Sequence, residues 1–160
     1  MFGILKSWFK KQDVTIYIRF RKEKVYLTYL PSHVTVETLP IIAVEKKGKD
    51  FKVSAVGREV LDLPTDSKAV VYTPFEPFSF EPENFEMAER CLQYLLRQGL
   101  GKSALIAPKV VIHPDKSYLS EMEEQAYREL ALSAGSREVV VYIGKMLNSD
   151  EVLATFEKNR

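Results

Sequence analysis

The strongest constraint on the fold is a pair of short alternating stretches separated by a few charged residues. In "VTIYIRF", Val14, Ile16, Ile18 and Phe20 fall on one face of an extended chain. In "KVYLTYL", Val25, Leu27 and Tyr29 do the same. A side-chain period of two is the signature of a strand with one face in a core, and the polar "RKEK" between them reads as a tight turn. The expectation is a β-hairpin. "HVTVETLPIIAVEK" gives a third extended stretch, kinked near Pro40, and "FKVSAVG" gives a short strand after the turn "KKGKD". "REVLDL" is a helical turn stopped by Pro64.

Beyond this point the period changes. "NFEMAERCLQYLLRQ" places Phe85, Ala88, Leu92, Leu95 and Leu96 at helical spacing, with Gly99 and Gly101 beyond. "PKVVIHP" is a short apolar run between prolines and reads as a buried strand. "SYLSEMEEQAYRELALSAG" predicts a helix with Leu119, Met122, Ala126, Leu130 and Ala134 inward and Gly135 at its end. "SREVVVYIG" is a last buried strand, and residues 148–160 form a tail or short helix. A hairpin and a third strand followed by helix, strand, helix, strand predicts a mixed α/β sheet covered by helices.

Composition excludes several functions. Lys and Arg number 23 against 22 acids, so there is no broad basic field for nucleic acid. One cysteine, Cys91, lies within a helical pattern and reads as a buried thiol in a reducing compartment. The two histidines, His33 and His113, form no metal-ligand spacing, and His113 is expected at a loop edge. "GLGKSAL" ends like a phosphate-binding loop, but Leu96 stands where the first glycine belongs and a helix feeds it. The acidic run Glu121–Glu124 reads as a solvated helix face. Phe75, Phe78, Phe80 and Phe85 in a proline-rich segment read as core cover, with Phe75, Phe78 and Phe80 also candidates for a partner-docking surface.

The first eleven residues, "MFGILKSWFKK", separate on a helical wheel. Met1, Phe2, Ile4, Leu5, Trp8 and Phe9 lie on one side, with Lys6, Ser7, Lys10 and Lys11 on the other. The segment is shorter than the roughly 20 residues a membrane span needs. It has the make-up of an in-plane helix, with Phe2, Ile4, Leu5, Trp8 and Phe9 entering lipid and Lys6, Lys10 and Lys11 facing anionic headgroups. Packing on its own domain is the alternative.

The collinear series of elements resembles the N-terminal part, subdomain IA, of the bacterial actin-like rod-shape-determining family MreB. "VETLPIIAVEKK" is similar to that family's Asn-Glu-Pro-Ser-Val-Val-Ala-Ile strand. "VSAVGREV" is similar to its Val-Ala-Ala-Val-Gly turn, and "AGSREVV" to its Ala-Gly-x-Arg-Glu-Val junction. The resemblance implies an actin-like (ribonuclease-H-like) half-fold spanning residues 12–147, with a five-stranded sheet in the order 3-2-1-4-5. It also locates a difference. The family's phosphate-binding Asp-x-Gly-Thr falls on Tyr17, Ile18, Arg19 and Phe20, so a metal-organising acid becomes a phenol and a small glycine becomes arginine. Glu123 matches the acid the family uses near the attacking water. The expectation is therefore a protein without catalytic, cofactor or metal residues. It would act as a peripheral adapter or regulator on the inner face of the cytoplasmic membrane, with an MreB filament or an envelope-assembly protein as partner. Two other readings stay open: a soluble, homo-oligomeric scaffold, and a small enzyme built on His113, Asp115 and Glu123.

Overall fold

A computed structural model describes residues 13–100 and 106–158 of the chain. Strand β1 (Thr15–Arg21) turns directly into β2 (Lys24–Leu30), pairing Ile16 with Tyr29, Ile18 with Leu27 and Phe20 with Val25. This register puts both apolar rows on one face. β3 (Val34–Thr38) adds antiparallel to β2. β7 (Lys109–His113) lies parallel to β1, and β8 (Glu138–Val141) parallel to β7. The sheet order is β3-β2-β1-β7-β8, which is 3-2-1-4-5 when only its own strands are counted.

The third extended stretch divides. The chain leaves β3 at Thr38, passes Pro40, and starts β4 (Ile42–Lys47) in a separate antiparallel sheet with β5 (Asp50–Val56) and β6 (Val70–Tyr72), in the order β5-β4-β6. Proline carries no N–H for a ladder, so the break falls where continued pairing would be weakest. Gly57 anchors the junction. Its φ is +72°, and a Cβ there would collide with the Thr38 hydroxyl that accepts the Arg58 N–H at 3.1 Å. The 3-10 turn Gly57–Asp62 follows.

Helix α1 (Pro82–Leu100) and helix α2 (Glu121–Ser133) cover one face of the main sheet. From α1 the buried residues are Met87, Ala88, Cys91, Leu92, Leu95 and Leu96, the i, i+4 stripe of an amphipathic helix. α2 starts in a reciprocal capping box: Ser120 Oγ accepts from Glu123 N at 3.1 Å, and Glu123 Oε1 accepts from Ser120 N at 3.2 Å. It ends as expected at Gly135, with φ +115°. Its inward stripe differs from the expected one. Ala126, Tyr127, Leu130, Ala131 and Ala134 are buried, whereas Met122 is 71% exposed, because at about 100° per residue it falls beside that stripe and not on it. α3 (Ser149–Lys158) packs on the opposite face through Val152 and Phe156, against Tyr17, Leu30, Val111 and Val140.

Candidate functional site

In open α/β sheets, ligand sites collect beyond the carboxyl ends of the strands. In this chain those ends belong to β1, β7 and β8, and buried aromatic and imidazole rings fill the space beneath them. Tyr17 points to the α3 face and is 4% exposed. Its hydroxyl lies 2.6 Å from His113 Nδ1 and accepts the Leu147 N–H at 3.2 Å. The phenol oxygen therefore bridges the His113 ring and the Leu147 amide. The rings stack with centroids 5.9 Å apart, and Tyr142 meets His113 edge-on at 4.9 Å. Burial pushes the His113 pKa down, and the nearby Arg21 charge acts in the same direction. Burial likewise raises the Tyr17 pKa. His113 is thus not at a loop edge. It is 2% exposed and closes the end of β7.

The other two substituted positions diverge. Phe20 turns to the opposite face and packs on Phe75 with centroids 4.6 Å apart. Arg19 stays on the Tyr17 face, its guanidinium 4.6 Å from the Tyr26 ring centroid. None of the three side chains is an acid able to organise a metal ion.

The residues of the small-enzyme reading each engage a separate partner. His113 is bound to Tyr17, Asp115 pairs with Arg21 at 3.4 Å, and Glu123 pairs with Lys116 at 2.7 Å. Glu123 is held below the usual carboxylate range by Lys116 first and by the Ser120 cap second. A small pocket of 210 Å³ at the strand ends takes in Phe20, Arg21, Asp115 and Lys116, but neither His113 nor Glu123. No group of acids, histidines and cysteines able to hold a metal ion occurs among the described residues. Cys91 is fully buried, its thiol pushed up to about 12 by burial, which leaves almost no thiolate to react.

Within the proline-rich segment, Phe75 and Phe78 are half-buried. Phe78 packs on Tyr127 at 4.7 Å, and Phe80 is 50% exposed. Phe2, Ile4, Leu5, Lys6, Trp8, Phe9, Lys10 and Lys11 lie outside the described residues, as does most of the "GLGKSAL" stretch.

Solved structures share the fold of this chain. A MamK double helical filament matches with a TM-score of 0.64 at 11% identity, over 82% of this chain and 41% of that one. MreB5 of Spiroplasma citri bound to ADP matches with a TM-score of 0.63 at 16% identity, over 82% of this chain and 38% of that one. The fold is actin-like. A non-polymerising MamK mutant bound to AMPPNP gives 0.61 at 10% identity, again over 82% of this chain and 41% of that one. The chain therefore spans about two fifths of the length of these actin-like proteins. No protein-family model matches the sequence, and no curated protein matches it.

Sequence reasoning missed two features here. The burial of His113 depends on a partner 96 residues away. The second is an open cleft beside Arg19, formed by the strand face that α3 leaves uncovered. The phase of the hairpin alternation was its only sequence signal, since it places Arg19 and Thr28 on the face opposite Ile18 and Leu27.

Proposed function

We propose that this chain works by binding and not by nucleotide turnover, as a peripheral-membrane adapter or regulator in bacterial cell shape or envelope assembly. The observation that carries the reading is the Tyr17–His113 pair under the strand ends, with Arg19 and Phe20 at the remaining phosphate-loop positions of the resemblance. The membrane part rests on the amphipathic pattern of residues 1–11. No described helix is long and apolar enough to cross a membrane, so attachment would be in the plane of the surface. The partner is an actin-like filament or an envelope-assembly protein.

Co-sedimentation with liposomes tests the membrane part, comparing the intact chain with one lacking residues 1–11 on anionic and on neutral lipid. Binding that needs both the segment and anionic lipid is the expected result. Equal pelleting of the two forms contradicts it. A second reading, the homo-oligomeric scaffold, draws on the edge strand β3, where Val34 and Val36 are 54% and 41% exposed beside an unpaired ladder. Sedimentation velocity separates the two readings, since only the scaffold predicts lipid-independent assembly lost on placing lysine at Val36.

A further inference from the structure

Two adjoining cavities of 280 Å³ each lie along the outer side of α3 and share Thr15 and Leu153 in their walls. Together they make a trough between that helix and the start of β1. We infer that this trough is the docking site of the chain's own residues 1–11 when no membrane is present.

Chain continuity brings the segment there. Asp13 is the first described residue, and it lines one cavity together with Leu30, Pro31 and Asp150. It is fixed at that point by an ion pair with Arg137, and the next residue accepts the Lys109 N–H on its carbonyl at 3.1 Å. Residues that precede Asp13 therefore start at the mouth of the trough. As a helix, residues 1–11 would extend about 16 Å, enough to run past the two turns of α3 between Asp150 and Glu157.

Surface chemistry matches on both sides. Leu30, Pro31, Leu153 and Phe156 give the trough its apolar lining. Leu153 is 47% exposed, and Asp150 and Glu157 flank it at helical spacing on the same side of α3. Neither acid has a cationic partner among the described residues. With Asp13 they set three acids against Lys109, whose ammonium rests on the Phe156 ring at 5.6 Å, and the His33 imidazole. The segment offers the complement: an apolar row of Phe2, Ile4, Leu5, Trp8 and Phe9 bordered by Lys6, Lys10 and Lys11. Such a row is unfavourable in water, and opposite charges at the rim select its orientation.

The same residues carry the membrane reading, so docking and lipid binding exclude each other. The trough then lowers apparent lipid affinity by the fraction of segment left free. A reversible hold of about tenfold is sufficient for such control, and trimming Leu153 to alanine would remove only part of it.

Trp8 is the only tryptophan in the chain, so acrylamide quenching of its fluorescence in the full, lipid-free protein reads the docking directly. The variants are Leu153→Gln, which adds no charge, and Asp150→Asn with Glu157→Gln. Unchanged far-ultraviolet circular dichroism verifies the fold of each. Co-sedimentation with phosphatidylglycerol-containing vesicles follows for the native chain and Leu153→Gln. The expected result is quenching at least about threefold weaker than that of N-acetyltryptophanamide, equal at low and high protein concentration, and strengthened in both variants. Leu153→Gln should also bind the vesicles about threefold or more tighter.

Quenching as strong as that of the free amide overturns docking, and vesicle binding in that case upholds the membrane reading alone. Protection that both variants retain places the segment elsewhere and overturns the trough. Protection that grows with concentration assigns the contact to a second copy and overturns an intramolecular one. Protection lost in the variants with no vesicle binding by either form supports docking and removes the membrane reading. Equal vesicle binding by the two forms, despite lost protection, overturns the exchange with lipid.

Discussion

The two faces of the five-stranded sheet follow different rules. On the α1–α2 face, Ile16, Ile18, Val25, Leu27, Val110 and Ile112 are all at or near zero exposure, and two helices seal them. On the α3 face, Leu30, Val111 and Val140 form a small apolar patch under Val152 and Phe156. It gives way to the Tyr17–His113 pair and then to the open, polar surface around Arg19. The closed face is specified by burial, which any large apolar side chain supplies. The other is specified by particular hydrogen bonds and charges. A chain that needs a stable platform and a working surface can separate the two across one sheet.

The largest effect should come from emptying the closed face. Ile112→Ala removes a fully buried side chain and is expected to cost about 2–5 kcal/mol, read as a lower urea midpoint at unchanged slope. A cost under ~1 kcal/mol would show that this face is not the close-packed platform described. Next is Tyr17→Phe, which keeps the ring but leaves the Leu147 N–H and His113 Nδ1 without their partner. The expected loss is about 1–3 kcal/mol by the same measurement. A neutral result would place water in that role.

The third prediction is a pH dependence carried by the α3 face. His113 has a folded pKa below the ordinary 6.5, chiefly through burial. Its neutral form is the one the fold prefers, so the unfolded chain takes up the proton first as pH falls. The stability contribution is fully present above about 6.5 and is lost as pH drops through the lowered folded value. Urea midpoints between pH 7.5 and 5 should fall for the native chain and fall less for His113→Gln. Equal acid limbs would remove His113 from the account. The smallest effect is expected at Leu153, 47% exposed on α3. Leu153→Ala should change stability by less than about 1 kcal/mol, and a larger change would mean that the outer side of α3 is covered in solution.

The same division decides how much of the molecule was legible in its sequence. The hairpin was readable because the Ile16–Phe20 and Val25–Tyr29 alternations have the period of a half-buried strand and neither is interrupted. The helix, strand, helix, strand order from Pro82 onward was readable from the change of period. The small second sheet was not, because β6 is only three residues, Val70–Tyr72, too few to show any period. Met122 misled because its spacing to Ala126 and Leu130 sets it at the flank of a stripe that Tyr127 and Ala131 carry further round the helix. Tyr17 and His113 were invisible as a pair. Tyr17 falls on the nominally polar side of the alternation, and only α3 and the loop at Leu147 bury it. Arg19 stands out in the sequence only as an arginine where the resemblance has glycine, and its contact with Tyr26 and its place at the cleft required the fold.

The account turns on whether the ring-filled strand ends have taken this actin-like half-fold out of nucleotide chemistry. The most direct measurement is isothermal titration of the full chain with magnesium ATP at millimolar concentration, alongside a phosphate-release assay. The account predicts no saturable heat and no release above buffer. Saturable ATP binding with turnover, weakened by Tyr17→Phe or His113→Gln, would contradict it and return these residues to an active site.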